Sequence, residues 1–143
     1  MISQTAEYAL RAVVCLADHD GGPMTTQQVA EKTQVPAGYL SKVLQALARV
    51  GLVDSQRGPT GGYTLRGSLD AISVLDVVNT VDPLARITSC PLGLSSHGAE
   101  LCALHRRLDQ AVADVESSFR QSSIADLLRE GSSPPPLRER SKA

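Results

Sequence analysis

Between Pro36 and Leu65 the apolar pattern changes period, and that change constrains the fold more than any other feature of the chain. From Pro36 onward, Leu40, Val43, Leu44, Leu47 and Val50 recur at spacings of three and four, which marks one face of a helix, and Gly51 supplies a stop. Pro36 suits the first turn, because the N–H it lacks would have no helical partner there. Leu52 to Gln56 and Tyr63 to Leu65 then read as two strands around the glycine-rich turn Arg57-Gly-Pro-Thr-Gly-Gly62, a β-hairpin. A helix that runs directly into a short hairpin needs other helices to cover its apolar face.

The upstream sequence supplies two. Thr5 to Ala17 places Ala9, Ala12, Val13 and Leu16 at helical spacing, without glycine or proline, and Asp20-Gly-Gly-Pro23 ends the run. Thr25 or Thr26 can cap a second helix of one to two turns that directs Val29 and Ala30 inward. This order is that of a winged helix-turn-helix, in which the second helix of the motif enters the major groove and the hairpin is the wing. Candidate DNA-contacting residues are Thr26 and Gln27, then Pro36, Tyr39, Ser41 and Lys42 at the recognition helix. In the wing, Arg57 suits a narrow minor groove, while Gly58, Gly61 and Gly62 would let backbone approach phosphates. The competing reading is that Tyr39 packs, Lys42 is solvated and the Arg57 loop is an ordinary turn.

Downstream, Ile72 to Val81 predicts a fourth helix capped by Ser73 and ended by Asp82-Pro83. From Ala99 to Leu128 helical propensity returns, with Leu101, Leu104, Leu108, Ala111 or Val112, Val115 and Phe119 forming a stripe. That stripe is too long for the small head to cover, so a second copy of the chain is its simplest partner, giving a two-fold dimer. The fold class expected is therefore mainly α with a small β-hairpin, a winged head carrying a long dimerisation helix.

Net charge does not announce a nucleic-acid partner, since the chain carries -1 at neutral pH. Residues 1–66 are the more basic part, with six Lys or Arg against five Asp or Glu. No apolar run is long enough for a membrane span and no secretory leader is visible, which points to the cytoplasm. Three cysteines are an odd set for a disulfide framework in a reducing compartment. Cys15 reads as a core residue of the first helix, and His19, beside two aspartates, as a solvated loop residue. Cys90 opens the loop before the long helix, and Cys102 and His105 share a face at its start. Thiolate and imidazole together suit an iron-sulfur cluster, and also zinc. A cysteine with a histidine can also make a nucleophile and base, but no orienting third group or cofactor fingerprint accompanies them, so no enzyme is expected.

The run Tyr39-Leu-Ser-Lys-Val-Leu44, then Leu47, Gly51-Leu-Val53 and Arg57-Gly-Pro-Thr-Gly-Gly-Tyr63, closely resembles the Rrf family of bacterial winged-helix regulators, and Thr5-Ala-Glu-Tyr-Ala-Leu-Arg11 is similar to the first helix of that family. The resemblance implies a homodimeric transcription factor on a pseudo-palindromic double-stranded DNA operator. It also implies a [2Fe-2S] cluster held by Cys90, Cys102 and His105. Relatives often carry a third cysteine midway, where this chain has Ser96, so a fourth ligand is needed. Glu7 is the candidate by resemblance, from the other subunit, and His97 is its competitor. A cluster-free regulator controlled by a Cys90–Cys102 disulfide, by zinc or by a partner protein is the alternative. The organisation expected is a winged head over 1–82, a cluster loop over 83–98, a dimerisation helix over 99–130 and a disordered tail over 131–143.

Overall fold

The structure, a computed structural model, describes residues 2–98, 100–131 and 134–139. Three helices form the head: α1 (Gln4–Ala17), α2 (Thr26–Thr33) and α3 (Ala37–Arg49). Each starts where the sequence provides an acceptor or a fixed φ. Ser3 caps α1 through its hydroxyl, and Thr25 caps α2 in a reciprocal capping box with Gln28. Pro36 stands one position earlier than expected, at the N-cap of α3 rather than in its first turn. The apolar faces of the three helices meet in one core that includes Ala9, Ala12, Val13, Leu16, Val29, Leu40, Val43, Leu44 and Leu47.

Val50 departs from the helix-face expectation: it is 58% exposed, because α3 ends at Arg49 and Val50 is the residue on which it terminates. Gly51, at φ +81°, then turns the chain into β1 (Val53–Gln56), which pairs antiparallel with β2 (Gly62–Leu65) in the register Val53 with Leu65 and Gln56 with Gly62. The hairpin has a third short edge. Met24 exchanges two backbone hydrogen bonds with Tyr63, at 2.7 and 3.0 Å, which fastens the wing to the start of α2.

That fastening explains one glycine. A Cβ on Gly62, whose φ is +146°, would stand 2.4 Å from the Met24 carbonyl oxygen, a backbone atom that cannot move aside without opening the bridge. Gly62→Ala is therefore expected to lower unfolding stability by on the order of 3 kcal/mol. Urea denaturation would measure this, and an unchanged midpoint would refute the close approach.

Beyond the wing, α4 (Val74–Val81) begins in a capping box of Ser73 with Asp76 and ends at Asp82, as expected. A short 3-10 turn spans Ser95–His97. The long helix is shorter than the expected 99–130, and Ala99 lies outside the described residues. It divides into α5 (Ala103–Gln121) and α6 (Ile124–Arg129). Ser123 breaks the helix by forming its own capping box with Asp126. The break also returns chain to the head: Ile124 donates to Ile72 at 2.9 Å, Val74 donates to Ser122 at 2.8 Å, and Ile124 is fully buried in the core. The first half of the stripe on α5 is left uncovered in the protomer, with Leu104 61% and Leu108 49% exposed, whereas Phe119 near its end packs against Ala6, Val74 and Val78.

Of the expected tail, residues 132, 133 and 140–143 lie outside the described residues. Within residues 134–139, Pro136 and Leu137 line a groove with Cys15 and Lys32, and Arg138 pairs with Asp18 at 3.4 Å. An apolar Leu137 beside Leu10 and Val14 gives this short segment a contact that its composition does not advertise. No described helix is long and apolar enough to cross a membrane.

Candidate functional site

On α3 the core face fixes what remains outside. Lys42, Gln45 and Arg49 project on the exposed side, with Ser41 half-buried and accepting from Gln45 at 3.4 Å. Pro36 and Gly38 are exposed at the N-terminal end, the end that a recognition helix presents to base edges. On α2, Gln27 is exposed and bonds Glu31, while Thr26 is half-buried.

Tyr39 is 38% exposed and is also anchored on α1. Its hydroxyl is bonded to Thr5 at the start of α1, and its ring meets Tyr8 edge-on at 5.4 Å. Tyr8 also carries the Arg11 guanidinium over its face at 5.2 Å. Tyr39 thus ties α3 to α1. It also lines a groove of about 540 Å³ whose walls include Lys42, Val43, Arg49 and the exposed Val50.

The wing tip holds Arg57 and Gly58, both exposed, and Gly58 sits at φ +103° with open space around it. Gly61 differs: a Cβ there would stand 2.4 Å from the Gln56 carbonyl, so this glycine, like Gly62, is required by the chain's own backbone. Of the three, only Gly58 has open space where a Cβ would stand. At the wing base Arg66 grips Asp54, which lowers the Asp54 pKa and holds the strands together.

The second cluster of functional groups lies between α4 and α5. Cys90 starts a tight turn in which Gly93, at φ +68°, donates to the Cys90 carbonyl at 3.0 Å. Backbone N–H groups of Leu94, Leu92 and Gly93 surround its sulfur and hold the thiol below its usual pKa. The 3-10 turn places His97 Nδ1 3.8 Å from that sulfur. Cys102 stands at the N-cap of α5, and the first turn brings His105 Nδ1 to 3.3 Å from it. Two thiol–imidazole pairs result, Cys90 with His97 and Cys102 with His105. Among the described residues no three His, Cys, Asp or Glu side chains are gathered into one metal site.

Glu7 belongs to neither pair. Its carboxylate accepts from Arg11 at 2.9 Å, and Arg11 in turn donates to the Thr33 carbonyl at the end of α2, at 3.0 Å. Cys15 is buried, and burial pushes its thiol pKa up, in keeping with a core role.

One constellation escapes any reading of the sequence. Asp109 on α5 accepts from Arg86 Nε and Nη2 and from the Ile87 backbone N–H, each at 2.8 Å. The guanidinium and the amide hold its carboxyl at about 2. The partners are more than twenty residues apart, and no spacing rule joins them.

A family profile described as Rrf2, iron-dependent transcriptional regulator, matches residues 2–130. The chain is 32% identical over 129 residues to the HTH-type transcriptional regulator IscR of Erwinia tasmaniensis, spanning 87% of this chain and 78% of that one. It is 28% identical over 128 residues to IscR of Yersinia enterocolitica, spanning 89% and 78%. Among solved structures, IscR of T. potens aligns with a TM-score of 0.74 at 24% identity, over 91% of this chain and 87% of that one. CymR, the global cysteine regulator of B. subtilis, aligns with a TM-score of 0.72 at 24% identity, over 89% and 95%. At such identity the two structures support the winged architecture itself.

Proposed function

Because the chain belongs to the Rrf2 family of transcriptional regulators, we propose that it is a homodimeric, sequence-specific DNA-binding regulator that senses redox state, nitric oxide or cluster supply through a [2Fe-2S] cluster. The observation that carries the sensing part is the placement of two thiol–imidazole pairs in the segment linking the winged head to α5. Cys90, Cys102 and His105 would hold the cluster. His97 is the fourth ligand favoured here, because it already stands beside Cys90 while Glu7 is engaged by Arg11. When bound, such a cluster supplies one-electron redox chemistry. The chain supplies soft thiolate and borderline imidazole donors, and backbone amides that favour the ionised Cys90 sulfur.

DNA is met by the exposed side of α3 and by the wing, in the cytoplasm where the operator lies. Lys42, Ser41 and Pro36 reach the major groove, with Gln27 on α2 at its edge, and Arg57 on the Gly58 turn reaches the minor groove. The uncovered stripe of α5 pairs with its copy and sets the spacing of the two heads. Since Ser122 and Ile124 fasten the end of α5 to α4, a change in the loop at its other end is transmitted to head spacing, hence to operator affinity.

Arg57→Ala is expected to weaken operator binding by about 1 to 3 kcal/mol without altering the dimer. Fluorescence anisotropy at fixed salt would read the change, and unchanged affinity would remove Arg57 from the interface. The sensing reading is tested by anaerobic purification with an absorption spectrum and iron and acid-labile sulfide determinations. Visible bands with about two irons per chain support it. Colourless protein after reconstitution would instead favour control by zinc or by a Cys90–Cys102 disulfide.

A further inference from the structure

We propose that Arg86 and Asp109 are positioning residues: a clasp that sets the register of the cysteine loop along α5 and brings Cys90 within reach of Cys102 and His105. The inference rests on the ligand set proposed above. Its geometric basis is independent of any bound group.

Asp109 follows His105 by four residues and Cys102 by seven, so all three share one face of α5. The clasp therefore sits about 10 Å along the helix from Cys102. The loop runs antiparallel to the helix. Leu84 packs with Phe119 on the Ala6, Val74 and Val78 cluster, and Arg86 meets Asp109 with Glu116 at 4.0 Å behind it. Ile87 then donates to Asp109. Three further residues lead from Ile87 to Cys90, and an extended chain of that length spans about 10 Å. The two lengths match, so a clasp at Asp109 lets Cys90 come level with Cys102. A slip of one helical turn, about 5.4 Å, would leave it short.

The bonding suits a registering role. The guanidinium approaches the carboxylate through two nitrogens, which fixes direction as well as distance, and the Ile87 amide fixes the main chain beside it. Arg120 braces Glu116 at 3.0 Å and keeps the second carboxylate in place. An ion pair with one partner partly exposed contributes little to global stability, so its value lies in where it holds the loop. Cys90 rests beside His97 and Cys102 beside His105, so the segment that must close is the one after the clasp.

The test uses metal-free, fully reduced protein treated with dibromobimane, which becomes fluorescent on linking two nearby thiols, with peptide mapping to locate the link. Wild type is expected to form the Cys90–Cys102 link within one chain. Asp109→Ala keeps a strong helix former on α5 and is expected to slow the link by about fivefold, the factor for losing an exposed ion pair. Asp114→Ala, which removes an exposed charge of the same helix away from the clasp, should leave the rate unchanged. Equal rates in Asp109→Ala and wild type would overturn the proposal, as would a link found between chains or no link at all. Iron loading of both proteins is measured alongside. Wild type that cross-links yet takes up no iron would defeat the cluster reading while leaving the clasp intact.

Discussion

Leu108→Glu is expected to convert the dimer into folded monomers. In the protomer Leu108 is half-exposed on α5, and no side chain of that 19-residue helix is fully buried, so a glutamate there costs the isolated fold little. At a two-fold seam the same change acts twice. Each copy loses the burial of a leucine, worth about 2 kcal/mol, and brings a carboxylate towards a water-poor surface. The dimer constant should weaken by at least about a thousandfold, the factor for roughly 4 kcal/mol. Operator affinity should fall with it, because two tethered heads gain an effective concentration that a single head lacks. Sedimentation analysis would read the mass and far-ultraviolet circular dichroism the helix content. A variant that stays dimeric would show that the stripe faces something other than a second copy.

That stripe also marks the limit of what periodicity reveals. The head was legible because several independent signals coincide in it: caps at Thr25 and Ser73, a three-and-four spacing in α1 and α3, and glycines at the turn positions. Past Phe119 the next apolar residue is Ile124, five positions on, but neither glycine nor proline stands between them and Leu127 and Leu128 follow, so the run reads as one helix. The break is carried by Ser123 with Asp126, a capping pattern weaker than the apolar rhythm around it but sufficient to turn the chain back to the core. Val50 fails for a related reason, since a helix-face pattern does not say on which residue the helix stops.

The candidate site was legible as chemistry and only partly as geometry. Cys102 and His105 share a turn of α5, as a spacing of three requires, whereas the pairing of Cys90 with His97 depends on the Gly93 turn and the following 3-10 turn. Gly61 and Gly62 illustrate the same limit. A glycine required by a neighbouring backbone carbonyl looks like any other in a sequence, and only the placement of the Gln56 and Met24 carbonyls shows that requirement at Gly61 and Gly62. The contacts of Tyr39 with Thr5 and Tyr8 join residues more than thirty positions apart, which no spacing in the sequence announces.

Cys102→Ala should abolish cluster uptake and, with it, any response of operator binding to oxidant or nitric oxide. Cys102 occupies the N-cap of α5 but makes no side-chain capping bond, so alanine removes the sulfur without unfastening the helix. The loss should be nearly complete, because removing a thiolate from a four-ligand set leaves iron with an open position, a larger change than the roughly 10- to 100-fold cost of disturbing a supporting group. Cys15→Ala is the matched control: its thiol is buried in α1 among core residues, and it should retain normal loading. Visible absorbance, iron and acid-labile sulfide per chain would read the outcome, with operator affinity of the metal-free proteins confirming that both heads remain folded. Retained colour in Cys102→Ala would remove Cys102 from the ligand set. Equal loss in Cys15→Ala would trace the effect to the fold instead.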